Sequence, residues 1–297
     1  MTIPVPRGFN FQRTALSHGW YALKPFSYDK ENGQLLRILR LADGTLVSCT
    51  LGGRTNAVVI QCSSNSSLTL GQKEEVVGQL KTCLRLTEDF TAFHSEAKKH
   101  PQFRWIPRSG AGRMLRSPTV FEDVVKMICT TNCTWALTTL MVTNLVEKFG
   151  ERLDGSLYSF PVAASIAGSS ERVLRKDIKS GYRSPYLLEL AEKVASGQLD
   201  VEAWRASPKS TEDLFEEMRT VKGLGPYAIG NIMKLVGRYD YLGLDSWVRS
   251  QYSELHHKGR RVKDSTIERH YQRYGKWRGL FFWLEMTRYW HDEKFLL

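Results

Sequence analysis

The chain of 297 residues has no apolar run near the roughly 18 residues that cross a bilayer, so no membrane-spanning helix and no membrane partner are expected. Its N-terminus, MTIPVPRGFNF, lacks the charged-then-apolar pattern of a secretory leader, and an intracellular protein is expected. No cysteine follows Cys133, which excludes a C-terminal cysteine cluster for an iron–sulfur centre. The five cysteines (Cys49, Cys62, Cys83, Cys129 and Cys133) are odd in number and scattered. That argues against a disulfide framework and for reduced, mostly buried thiols. Cys129 and Cys133 share a helix face, but two thiols without a nearby histidine make a poor zinc site, so core packing is expected. His256 and His257 are adjacent, yet no third ligand is in reach in the sequence. No metal and no organic cofactor are therefore expected. There is no internal repeat.

What is abundant is positive charge. Lysine and arginine number 42 against 31 acids, a net +11, which points to a polyanionic partner: nucleic acid first, an acidic membrane surface second. Hydrophobic content of 42% and charged content of 25% are those of a globular protein with a real core. From Arg249 to Arg278 there are nine basic residues and three acids. HHKGRRVK, His256 to Lys263, reads as an exposed loop there, either a solvated charge run or a phosphate-contacting flank.

From about Phe9 to Cys62 the chain carries short β-branched and apolar runs, RILRL, TLVSCTL and AVVIQCS. ADG at Ala42–Gly44 and LGGR at Leu51–Arg54 read as the turns between them. From Leu70 the period becomes helical, with Val76, Val77, Leu80 and Leu84. A small antiparallel sheet domain over 1–80 and a helical domain over 81–297 are expected, an α+β chain. Ser117-Pro118 signals a helix start, and that helix buries Phe121, Val124, Val125 and Ile128. A second helix runs from about Trp135 to Phe149 and ends at Gly150. The last, about Lys276 to His291, is rich in aromatics.

The organising stretch is Thr211 to Tyr252. Thr211 caps a helix, with Glu212 and Asp213 in its first turn. Gly223 and Gly225 bracket Leu224, and Pro226 opens a second helix with Ile229, Ile232, Met233, Leu235 and Val236 at helical spacing. Lys234 reads as a solvated position of that helix. Glycines beside a helix N-terminus leave backbone N–H donors for a phosphate, and Lys222 adds a charge. The same pattern also serves as a plain packing element. Asp245, twenty residues beyond Gly225, opens the next helix (245 − 225). It can be a simple N-cap, or a carboxylate beside a nucleoside that stabilises an oxocarbenium-like sugar and orients water.

KGLGPYAIGNIMKL followed by LGLDSWVRSQ resembles the helix–hairpin–helix–glycine/proline–aspartate superfamily of DNA glycosylases. The hairpin-to-aspartate spacing is the specific part, and the likeness extends over about Leu86 to Trp290. EDVVKMICTTNCTWALTTLMVTNLVEKFGERL is similar to the segment where 8-oxoguanine and bacterial 3-methyladenine DNA glycosylases place residues that fill the gap left by a flipped base. SFPVAASIAG and KSGYRSPYLLELA resemble the eukaryotic 8-oxoguanine enzymes, and YQRYGKWRGLFFWLEMTRYW the bacterial alkylation enzymes. The resemblance implies Asp245 as the catalytic aspartate. It implies Lys222, Gly223, Leu224 and Gly225 as the phosphate-binding hairpin, with Arg249 on the DNA flank. Tyr227 stands where strand-cleaving members have a Schiff-base lysine, and a phenol cannot form that imine. A monofunctional enzyme without β-lyase activity follows.

By the same resemblance Asn132 enters the vacated stack. Leu137 stands where the 8-oxoguanine enzymes have an arginine that reads the opposite base, which a leucine cannot do by hydrogen bonding. Phe282 and Met286 replace that family's base-reading glutamine and stacking phenylalanine. Gly19 is similar to its lesion-contacting glycine. Trp20, Tyr21, Tyr227, Trp247, Phe282 and Met286 would together line a base pocket that favours cationic, alkylated purines. Double-stranded DNA with a damaged base is the implied partner of a monomer, with an abasic-site endonuclease downstream. The compartment would be cytoplasm and nucleoid in a bacterium, or nucleus in a eukaryote. The alternatives are an 8-oxoguanine-type enzyme and a non-catalytic DNA-binding module.

Overall fold

The structure, a computed structural model, describes residues 1–293 and is α+β. An antiparallel sheet at the N-terminus is followed by a helical remainder. Two compact units are present: Met1–Asp89 with Arg113–Glu202, and Phe90–Gly112 with the chain from Ala203 on. This division differs from a cut at residue 80, because the sheet and the helices of 113–202 fall in one unit. Among the described residues no helix is long and apolar enough to cross a membrane.

In the first unit, β1 (Thr2–Pro4), β2 (Phe26–Asp29), β3 (Gln34–Arg40), β4 (Leu46–Arg54) and β5 (Ala57–Ser63) pair in the order β1-β5-β4-β3-β2. All neighbours are antiparallel. The ADG turn joins β3 to β4 as its sequence suggests. LGGR does not turn: it lies within β4, and the reversal falls one step later, where Arg54 pairs with Ala57 across Thr55-Asn56. Gly53 serves close approach instead, since a Cβ there would lie 2.7 Å from Cβ of Phe11. The helix Leu70–Cys83 begins at a capping box of Thr69 and Gln72. The next long helices are Val120–Thr130, capped by Thr119 two residues beyond the expected Ser117, and Trp135–Phe149, capped by Thr134.

One feature of β3 contradicts simple strand alternation. Arg37 shares a strand face with the buried Leu35 and Leu39 and is itself 3% exposed. Its guanidinium grips Glu122 with two hydrogen bonds of 2.6 Å, and Lys126 donates to Glu122 Oε1 at 2.6 Å. Burial pushes the Glu122 carboxyl up, but the two cations outweigh it and hold it down at about 2. The triad locks β3 to the first turns of Val120–Thr130. Asp123, beside it, accepts from Trp20 Nε1 at 2.7 Å and from the Ser117 amide at 2.9 Å.

The second unit is wholly helical among its described residues. It contains Thr91–Lys99, Trp105–Ser109, Thr211–Arg219, Pro226–Val236, Ser246–His257, Asp264–Gln272, Arg278–Met286 and Arg288–Glu293. The expected final helix is two, parted at Thr287. Phe93, Phe103 and Phe281 pack with Tyr274 and Trp277 as its aromatic core.

Replacing Glu122 by Gln takes from two buried cations the carboxylate they are bonded to. The expected loss is about 3–5 kcal/mol of unfolding free energy, read by urea or thermal denaturation.

Candidate active site

The hairpin is built as its sequence suggests, with one change at its start. Ser210, not Thr211, caps Thr211–Arg219, accepting from the Asp213 amide at 3.0 Å. The Thr211 hydroxyl instead donates to both carboxylate oxygens of Asp240, at 2.9 and 2.7 Å. Gly223 turns at φ +91°, a conformation that side chains disfavour. Leu224, 4% exposed, plugs the hairpin into the core. Gly225 caps Pro226–Val236 with no side-chain bond, and a Cβ added there would meet nothing. Its outer side is therefore exposed backbone at a helix N-terminus, beside the exposed Lys222. Such a surface accepts a phosphate.

The loop from Arg238 to Leu244 is held from several directions. Gly230 and Gly243 allow near-contact of helix and loop, since a Cβ on Gly230 would lie 2.5 Å from Cα of Gly243. A Cβ on Gly279 would strike the Tyr241 carbonyl oxygen at 2.0 Å. Arg278 donates to the Asp240 carbonyl. Lys234 is not a solvated residue. It is fully buried, and its ammonium donates to the carbonyls of Gly230 at 3.0 Å and Leu242 at 2.6 Å. Burial lowers its pKa to about 7, and the charge of Asp245 opposes that shift. The loop delivers Asp245, partly buried, to the start of Ser246–His257. One carboxylate oxygen accepts from the Val248 amide at 2.7 Å. The other has no hydrogen bond among the described residues. A carboxylate fixed by one oxygen and open at the other can face a developing positive charge.

Around this centre the expected residues separate. Tyr227 is half-buried on the same helix as Lys234. Arg249 is engaged by Asp264 through bonds of 2.8 and 2.9 Å. It lines an opening of about 480 Å³ with Pro226, Tyr241, Glu268 and Arg278. Trp247 is half-buried and stacks on Trp290 at 5.4 Å, with Trp283 at 6.4 Å. Phe282 and Met286 are corrected to core: they are 0% and 1% exposed, and Phe282 packs edge-on against Tyr271. They offer no face to a base here. Trp283 and Trp290, both within WLEMTRYW, complete the aromatic group around Trp247, which their spacing alone does not reveal.

The remaining candidates lie in the first unit. Trp20 is a core residue at 4% exposure, its indole N–H committed to Asp123, so it forms no open wall. Tyr21 is half-buried and meets Tyr28 edge-on at 6.1 Å. The space beside Gly19 is filled by Trp135, whose ring a Cβ would meet at 2.3 Å. Asn132 is exposed at φ +46°, and its amide reaches the Tyr182 hydroxyl at 3.4 Å. Arg183 donates to the Thr131 carbonyl and stacks on Tyr182 at 4.5 Å. Tyr182 and Arg183 thus brace the Asn132 turn, a role that GYR alone did not suggest. Leu137 is half-buried one turn into Trp135–Phe149.

The hairpin with its exposed backbone is thus followed by a loop that presents a half-capped aspartate. A family model described as HhH-GPD superfamily base excision DNA repair protein matches residues 125–279, half of the chain. The chain belongs to this superfamily. Among solved structures it is similar to a 3-methyladenine DNA glycosylase from Archaeoglobus fulgidus. That match has a TM-score of 0.76 and 18% identity, covering 97% of this chain and 98% of the other. It is also similar to an 8-oxoguanine glycosylase/lyase of Clostridium acetobutylicum in complex with DNA. There the TM-score is 0.67 with 20% identity, covering 93% and 92%. These likenesses establish the fold. An N-glycosylase/DNA lyase of Saccharomyces cerevisiae is 23% identical over 141 residues, which span 41% of this chain and 38% of the yeast protein.

Lys234→Met should separate positioning from stability. Loss of the loop contact should slow base release by about 10- to 100-fold in single-turnover assays, while the fold survives. The pH dependence has a defined sign. Below about pH 7 both folded and unfolded wild type carry the proton, and the folded state bears the full cost of burying it. Between about 7 and the ordinary 10.5 the unfolded chain holds more protons, so wild type gains stability as pH rises. The Tm of Lys234→Met minus that of wild type should therefore be greatest near pH 6 and fall toward about pH 9.

Proposed function

We propose that the protein is a monofunctional DNA glycosylase that flips an alkylated purine from duplex DNA and hydrolyses its N-glycosidic bond. The observation that carries this reading is Asp245, fixed by one oxygen on the Val248 amide with the other uncommitted. In the reaction the exposed hairpin backbone and Lys222 hold a phosphate of the damaged strand. As the base leaves, positive charge grows on the sugar, and the open oxygen of Asp245 stabilises it and orients the attacking water. The cap bond keeps the carboxylate from turning, so little reorganisation is needed at the moment of reaction. Asn132, braced by Tyr182, is suited to enter the gap left in the duplex.

Two features support the finer assignment. Tyr227 offers no amine, and Lys234, on the same helix, has its amine sealed against two carbonyls, so neither is placed to form a Schiff base with the sugar. The Trp247–Trp290 stack with Trp283 edge-on provides π-faces for an electron-poor, cationic base. This favours 3-methyladenine- and 7-methylguanine-type lesions. A second reading, an 8-oxoguanine enzyme with lyase activity, draws on the likeness to glycosylase/lyases. It is opposed by Tyr227 and Leu137. The protein would act as a monomer wherever its host keeps DNA and pass abasic sites to a separate endonuclease.

Asp245→Asn should abolish base release and leave DNA affinity intact or improved; release at the parental rate would refute the catalytic assignment. Duplexes carrying single defined lesions should show release of alkylated purines ahead of 8-oxoguanine, uracil and hypoxanthine. Borohydride should trap no covalent adduct on damaged DNA, and efficient trapping would favour the lyase reading.

A further inference from the structure

Away from Asp245, the second unit brings together three metal-ligating side chains from three helices. His256 sits in the last turn of Ser246–His257, His270 near the end of Asp264–Gln272, and Glu285 near the end of Arg278–Met286. One ligand atom from each lies within 4.8 Å of the others. The expected loop at His256 does not begin there. Both histidines of HHKGRRVK belong to the helix, which ends at Lys258 in a left-handed cap of φ +52°.

His256 and Glu285 are within ion-pair distance but share no hydrogen bond. His256 Nε2 is buried and has no hydrogen-bond partner among the described residues. It stands 3.5 Å from Glu285 Oε1, outside a good N–H···O bond of about 2.7–3.2 Å. Two ligands bound at about 2.0–2.2 Å to one tetrahedral ion are separated by about 3.3–3.6 Å, which matches that distance. The other Glu285 oxygen accepts from the Tyr271 hydroxyl, the outer-shell bond that orients a metal-binding carboxylate. His270 and His256 rings lie 4.6 Å apart between centroids. His270 Nδ1 meets the Tyr252 hydroxyl at 3.1 Å, and its Nε2 accepts from Arg273 at 2.9 Å. An incoming ion takes the place of one of these two partners. Entry is provided by an opening of about 420 Å³ lined by Tyr252, His256, His257, Thr266, Arg269 and His270.

We propose that His256, His270 and Glu285 form a binding site for one divalent transition-metal ion of the zinc class, which staples the three helices together. Two imidazoles and a carboxylate suit zinc and its neighbours rather than calcium or magnesium. Three protein ligands leave a position for solvent. The ion would fix the C-terminal end of the helix whose N-terminal cap is Asp245, bracing the catalytic helix at both ends.

The test uses the untagged 297-residue chain, stripped with chelator and titrated with zinc chloride. Calorimetry should show one equivalent bound. At a zinc concentration about a hundred times Kd, Tm should rise by several degrees, roughly 5 °C. His256→Asn and Glu285→Gln should each weaken binding by about 100-fold or more, and Tyr271→Phe, which keeps the ring in the core, by about 10- to 100-fold. Arg273→Gln should retain binding. An unmoved Tm with no calorimetric heat overturns the site. So does binding of unchanged affinity in His256→Asn and Glu285→Gln, which would put the ion elsewhere.

Discussion

A buried ammonium holds the loop that leads to the carboxylate proposed as catalytic. Lys234 joins the carbonyl of Gly230, in its own helix, to that of Leu242, in the loop that leads to Asp245. A charge in so dry a place carries a large desolvation cost, offset in part by the two carbonyl dipoles and by the field of Asp245. The arrangement is tolerable because Gly230 and Gly243 let helix and loop touch, and because Thr211 and Arg278 hold the same loop through Asp240. With the loop so confined, Asp245 arrives at the helix start with one oxygen committed to the backbone and one available. Its orientation is thus set by a geometry that side chains elsewhere in the unit maintain.

The two units solve the problem of a polar core in different ways. In the first, Arg37 and Lys126 share the carboxylate of Glu122 at the join of sheet and helix, and Asp123 beside them is satisfied by Trp20 and Ser117. Removing Glu122 takes from both cations the carboxylate they are bonded to, in an interior that cannot solvate them. In the second, aromatic packing dominates, and two polar places stand out, the loop before Asp245 and the His256–His270–Glu285 cluster. The Ser246–His257 helix joins those two places. A bound ion at one end and a capping carboxylate at the other would make that helix a rigid strut, which is what a site with a fixed carboxylate requires.

The readings that held were those carried by local chemistry. ADG joins β3 to β4, Thr211 to Arg219 is helical, Gly223 takes a left-handed turn, and Trp135 to Phe149 is a helix ended by Gly150. Each depends on neighbours in the chain. The readings that failed needed partners far along it. LGGR has the composition of a turn, but Gly53 was needed for Phe11. Trp20, Phe282 and Met286 have the chemistry of a base pocket, but burial had claimed them. Lys234 has the chemistry of a solvated position, yet the apolar residues beside it, Met233 and Leu235, belong to a helix buried on nearly every side.

The sequence by itself determined the class of protein, because the spacing from glycine hairpin to aspartate is a local constraint on backbone and charge. It also determined that Tyr227 brings no amine to that helix. Tertiary structure alone decided which aromatics gather around Trp247, that Asp245 keeps one oxygen open, and that His256 meets His270 and Glu285. The physical reason is the same in each case. These groups are brought together by helix packing, and packing depends on the whole set of apolar faces rather than on the spacing of any few residues.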